Sequence, residues 1–203
     1  MLPSMRVRAQ HSRERLIMSN SKKKLIFIVG SLRHGSFNRV LAQHAAAYIG
    51  ERAEVEILDY ADVPFMNQDI EFPAPEAVTR VRETVMAADG VWIFTPEYNF
   101  GFPAPVKNLL DWLSRPLVAG DYDTPRPLTG KPVAVSGAGG KGATAGVRKA
   151  FVPYLTYLQA KLVDGEGQGF VLPGEVWAGA PYEIPAEDAA RLDKQAEDLL
   201  AAL

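Results

Sequence analysis

The spacing of apolar residues changes period repeatedly along the chain. Residues 25–29, Leu-Ile-Phe-Ile-Val, form a β-branched-rich run without polar alternation, as expected of a strand buried on both faces of a sheet. From 38 to 49 the apolar positions return at helical spacing, with Leu41, Ala45 and Tyr48 on one stripe. The alternation then repeats: a strand at 55–58, a helix over 75–88 with Val78, Val81 and Val85 inward, and a strand at 90–95. A helix over 103–114 follows, opened by prolines that suit a first turn. A Pro-, Gly- and Asp-rich connection over 115–130 leads to a fourth strand at 132–136. The next helix, 144–161, contains Pro153, which predicts a kink or an early stop. A last strand falls at 161–163 or at 169–172, and an Ala/Leu-rich helix over 186–203 ends the pattern with Leu192 and Leu199 inward. Strands alternating with helices need crossovers between parallel neighbours, so the pattern predicts an α/β doubly wound sheet with helices on both faces.

Composition removes several kinds of chemistry. The 203 residues include no cysteine, which excludes disulfides, thiolate-bound clusters, zinc ribbons and a cysteine nucleophile. The three histidines, His11, His34 and His44, form no HExxH pair, and no GxSxG elbow is present. No apolar run reaches the roughly 20 residues of a membrane helix. The net charge of −2 is unevenly divided, because residues 1–24 hold seven basic side chains and one acidic one. Of the 22 basic and 24 acidic residues this leaves 15 and 23, a balance of −8 over 25–203. An acidic body argues against nucleic acid as a partner. The basic segment has three readings: a targeting peptide, a polybasic arm, or a stretch upstream of a start at Met18. It lacks the apolar run of a secretory signal, so export is not expected. Residues 1–20 are read as a disordered or non-native leader, followed by a single domain over 21–203 in a cytoplasmic protein.

In a doubly wound sheet, ligands bind beyond the carboxyl ends of the strands. After the first strand comes Gly30-Ser31-Leu32-Arg33-His34-Gly35-Ser36-Phe37-Asn38, a turn that leads into a helix N-terminus. Two hydroxyls, an arginine and the positive end of the helix together suit a phosphate, whereas Ser36 or Asn38 alone would suit a helix cap. His34 reads as an exposed loop residue.

After the third strand stands Thr95-Pro96-Glu97-Tyr98-Asn99-Phe100-Gly101-Phe102-Pro103. Its aromatics and amide suit a flat polar ring, and equally suit a rigid loop that caps the core. Trp112 and Leu113 read as core, and Asp111 with Arg115 as a surface (i, i+4) pair. After the fourth strand, residues 137–142 satisfy G-x-G-x-x-G, with Asp164 near the expected spacing. Only 61 residues follow Gly142, too few for the repeated units of a dinucleotide domain. These glycines are therefore read as a flexible wall beside a cofactor ring, and Lys141 as solvated.

Together the three loops resemble the NADPH-dependent FMN reductase family, which includes flavodoxin-like quinone and chromate reductases. The resemblance rests on Gly30-Ser-Leu-Arg with Ser36 and Asn38, and on Thr95-Pro-Glu-Tyr-Asn99 continuing to Lys107-Asn-Leu-Leu-Asp-Trp-Leu-Ser-Arg-Pro116. It extends to the glycine turn at Ser136. It implies a flavodoxin-like five-stranded sheet in the order 2-1-3-4-5 and noncovalent FMN. Ser31, Arg33, Ser36 and Asn38 would hold the phosphate, with Phe37 also among the cofactor-binding residues. Pro96, Glu97, Tyr98, Asn99 and Phe100 would lie along the ribityl chain and ring, with Ser136, Gly139 and Gly140 at the ring's other edge. It also implies a homodimer or homotetramer, NADPH or NADH as co-substrate, and a ping-pong transfer to quinones or similar small acceptors, with flavin N5 carrying the chemistry. Ala104 and Pro105 and the charged 115–130 connection depart from the family pattern. Two alternatives stay open: a flavodoxin-like electron carrier with little turnover, and a reductase that releases reduced flavin to a monooxygenase.

Overall fold

The computed structural model describes residues 22–203, so the expectation for residues 1–20 lies outside the described residues. Among the described residues six strands and six α-helices follow in the order β1 (Lys24–Val29), α1 (Phe37–Ile49), β2 (Glu54–Ile57), α2 (Glu76–Ala87), β3 (Gly90–Phe94), α3 (Ala104–Leu113), β4 (Pro132–Gly139), α4 (Ala145–Tyr157), β5 (Lys161–Leu162), β6 (Gln168–Val171), α5 (Gly174–Trp177) and α6 (Ala186–Ala201). The sheet is parallel in the order β2-β1-β3-β4-β5, as the resemblance implies. Both candidates for the last strand are real. β5 pairs with the start of β4 at Pro132 and Val133, and β6 with its end, Ser136 to Gly139. The two pieces share one edge of β4. Asp164, Gly165 and Gly167 between them carry φ of 62°, 57° and 74°, so the chain turns out of the sheet and back.

The continuous apolar runs are explained by burial on both faces. Ile26, Ile28, Val91, Ile93, Val133 and Val135 pack with residues of α2, α3 and α4. Leu25, Phe27, Trp92, Phe94 and Ala134 pack on the opposite face with residues of α1 and α6. Phe27, Trp92 and Phe94 interlock there at centroid distances of 4.9–5.5 Å. Val78, Val81, Val85, Leu192 and Leu199 point inward as expected. Tyr48 does not: the buried stripe of α1 is Leu41, Ala42, Ala45 and Ile49, and Tyr48 turns outward to donate to Glu197 on α6. Pro153 lies inside α4, which ends at Tyr157 rather than at residue 161. No helix of the described residues is long and apolar enough to cross a membrane.

The connection after β2 is fastened to α3. Asn108 Oδ1 accepts from Met66 N at 2.8 Å, its Nδ2 donates to Pro64 O at 2.9 Å, and Trp112 Nε1 donates to the same oxygen at 2.8 Å. Arg115 grips Glu71 with two hydrogen bonds of 2.7 and 3.0 Å. The expected Asp111–Arg115 pair is therefore not formed, because a buried carboxylate competes for the guanidinium, while Asp111 pairs with Lys107. Burial pulls the Arg82 guanidinium down from its ordinary pKa, against the attraction of Glu71. Arg82 donates to Trp112 O at 3.1 and 3.3 Å, a buried contact that adds to the half-buried Arg115–Glu71 pair in fastening this region.

Candidate functional site

Parallel strands in register deliver their following loops to one end of the sheet. Gly30 N bonds Phe94 O and Thr95 N bonds Ser136 O, which carries the ladder to the last residue before each loop. At that end lies a cleft of about 370 Å³, within the roughly 300–1,000 Å³ of small-molecule sites. Its walls come from the β1–α1 turn, the β3–α3 loop, the end of β4, and the segment that follows β6.

The β1–α1 turn closes through a Ser36 N to Arg33 O bond of 3.1 Å. Ser36 occupies the N-cap position of α1, yet its side chain makes no capping bond. Its hydroxyl is buried without a hydrogen-bond partner, although the residue lines the cleft. A buried unpaired hydroxyl is costly, and a bound acceptor would relieve it. Arg33 is exposed, and its guanidinium lies 4.8 Å from the centre of the Phe37 ring. Among the described residues, an orphaned hydroxyl, a guanidinium in no ion pair and the first N–H groups of a helix therefore converge at this corner. That donor set suits a phosphate, so the residues fit FMN at its phosphate end.

Of the thirteen predicted site residues, the structure brings ten to the cleft: Ser31, Arg33, Ser36, Phe37, Asn38, Pro96, Glu97, Tyr98, Gly139 and Gly140. Asn38 lines it with both of its amide atoms engaged. Its Oδ1 accepts from Ala138 N at 2.8 Å and its Nδ2 donates to Ala138 O at 3.2 Å, which ties α1 to β4. These two bonds make it a clamp between the two elements. Ser136 is fully buried and its hydroxyl is consumed between Trp92 Nε1, at 3.0 Å, and Gln195 Oε1. The reason is that β4 does not stop there: Ser136 to Gly139 still pair with β6. For the same reason Gly137 and Gly139 belong to a strand, not to a flexible wall or a dinucleotide loop. A Cβ on Gly137 would stand 2.2 Å from Thr144 Oγ1 and 2.4 Å from Thr95 O, so this residue type permits the close approach of β3, β4 and α4.

Asn99 and Phe100 form the tip of a tight hairpin closed by reciprocal Tyr98–Gly101 bonds of 3.2 and 3.0 Å, and neither lines the cleft. Both are left-handed, with φ of 51° and 63°. For a phenylalanine that is unusual, and its side chain is 91% exposed. Tyr98 leans back over the cleft, its hydroxyl 3.5 Å from Ser31 Oγ. His34 and Lys141 are exposed, as read from the sequence.

The family described as NADPH-dependent FMN reductase matches residues 23–168. The chain belongs to the NADPH-dependent FMN reductase family. It is 38% identical over 116 residues to an NAD(P)H-dependent FMN reductase of Pseudomonas aeruginosa, covering 57% of this chain and 59% of that one. It is 38% identical over 121 residues to a quinone reductase of Escherichia coli, covering 57% and 60%. The matches thus span about three-fifths of these relatives. A solved structure of FerB, described as a flavoenzyme NAD(P)H:(acceptor) oxidoreductase of Paracoccus denitrificans, superposes with a TM-score of 0.76 at 27% identity. It covers 88% of this chain and 96% of that one.

Four cleft residues escaped the sequence reading: Ala138, Leu172, Val176 and Trp177. The last three lie beyond the stretch that matches the FMN reductase family. Phe37 meets Trp177 and Tyr182 edge-on at 5.9 and 5.7 Å, forming an aromatic wall beside the phosphate corner. The run Val171-Leu-Pro-Gly-Glu-Val-Trp177 would have pointed there had β6 been fixed as a strand, since it follows that strand's carboxyl end.

Proposed function

We propose that this member of the family binds FMN noncovalently and works as an NAD(P)H oxidoreductase, with quinones or similar small molecules as acceptors. The observation that carries the reading is the phosphate corner, where, among the described residues, the buried Ser36 hydroxyl has no hydrogen-bond partner and Arg33 joins no ion pair. Ser31, Arg33, Ser36 and the first N–H groups of α1 hold the phosphate. Pro96 to Tyr98 and Gly139–Gly140 hold the flavin from two sides, while Phe37, Leu172, Val176 and Trp177 shield one wall from water. When bound, the flavin accepts and passes on hydride, so the chain itself needs no nucleophile or strong acid. Its task is positioning. Glu97 orients its loop and transfers no proton.

Nicotinamide donor and acceptor use the open side of the same cleft in turn, in a ping-pong order. The reading includes a homodimer or homotetramer in the cytoplasm. Purification followed by a visible spectrum and mass analysis of the released ligand tests it: a yellow protein releasing FMN is expected, and a colourless protein that takes up no added FMN contradicts it. Steady-state rates at varied donor and acceptor should give parallel reciprocal plots, and intersecting lines contradict the shared site.

A further inference from the structure

Glu97 reaches out of the β3–α3 loop to the start of α4, fifty residues later in the chain. Its Oε2 accepts from Val147 N at 2.6 Å. Helix α4 has no cap of its own there: Thr144 stands at the N-cap position in a left-handed conformation, φ 58° and ψ 25°, with no side-chain bond, and the first turn contains no acidic residue. Gly146 makes room for the carboxylate, since a Cβ on it would lie 2.8 Å from Glu97 Oε2. A glycine is otherwise a poor choice in a helix. Glu97 takes part in no ion pair among the described residues, and Arg148, which feels its charge, spends its guanidinium on the carbonyls of Ala143, Glu166 and Gly167. The same residue lines the cleft. A carboxylate at a helix N-terminus offsets the positive end of the helix dipole, which would otherwise favour negative charge nearby.

We propose that Glu97 is a positioning residue that caps α4 from the β3–α3 loop, thereby locking that loop against α4, and that its charge lowers the cleft's affinity for reduced relative to oxidised FMN. The proposal rests on the function proposed above. Two variants separate the cap from the charge: Glu97→Gln keeps an acceptor oxygen and removes the charge, and Glu97→Ala removes both. Hydrogen exchange at Val147 N–H in the flavin-free protein reads the cap. Protection should fall at least tenfold in Glu97→Ala and less than threefold in Glu97→Gln. The midpoint potential of the FMN-loaded protein reads the charge. In Glu97→Gln the reduced-to-oxidised affinity ratio should rise about tenfold, or about 30 mV for a two-electron couple. Unchanged Val147 protection in Glu97→Ala overturns the cap, and a potential that stays or falls in Glu97→Gln overturns the electrostatic role. Wild-type protein that binds no FMN overturns the proposed function and the electrostatic role with it, while exchange at Val147 still decides the cap.

Discussion

Residues 58–75, after β2, contribute carbonyls, a backbone N–H and a carboxylate, and α3 with the residues just after it answers each in turn: Asn108 and Trp112 take Pro64 O, Asn108 takes Met66 N, and Arg115, two residues past the helix, takes Glu71. Residues 30–36, after β1, are as polar, yet among the described residues Arg33 joins no ion pair and the buried Ser36 hydroxyl has no hydrogen-bond partner. The first loop spends its polar groups within the protein and the second leaves them unspent. A fold can carry the cost of unpaired donors only at a few places, so the second loop marks a site and the first marks scaffold.

The largest expected effect lies in the scaffold. Arg115→Ala strands Glu71, whose side chain is only 3% exposed, and should cost about 3 kcal/mol of stability in urea unfolding. Equal loss of FMN affinity in this variant and in Arg33→Ala would break the division between the two loops. Asn38→Ala comes next, because it leaves both the N–H and the carbonyl of Ala138 unpaired, for about 2 kcal/mol. A change below about 0.5 kcal/mol would instead show that the amide is free for a ligand.

How much of this was legible follows the range of the interactions. Burial on both faces of β1 and β3 was written in local runs of apolar residues, and the positions of the three loops followed from topology. Asn38 was read at the right place, but the direction of its amide depends on Ala138, a hundred residues away. Arg115 looked like a surface residue because Glu71 is distant in sequence. Trp177 was missed because β6 is short and its hydrogen-bond partner is a glycine-bearing strand end that resembled a turn.

Smaller effects sharpen the contrast. Phe100→Gly should raise stability by about 0.5–1 kcal/mol, since it relieves a left-handed phenylalanine whose exposed ring packs on little. Destabilisation would show that the tip is held by contacts beyond the single chain. Ser36→Ala should leave the flavin-free protein at least as stable as wild type, unlike an ordinary cap lost for about 1 kcal/mol, because its hydroxyl caps nothing and is buried without a partner among the described residues. The same variant should weaken FMN.

The β1–α1 turn is proposed to hold the FMN phosphate through Ser31, Arg33 and Ser36. Titration of flavin-free wild type and Arg33→Ala with FMN and with riboflavin tests it most directly, because the two ligands differ only in that group. Loss of a charge-assisted bond should weaken FMN about tenfold or more and leave riboflavin within twofold. Equal weakening of both ligands, or FMN binding untouched by Arg33→Ala, would contradict it.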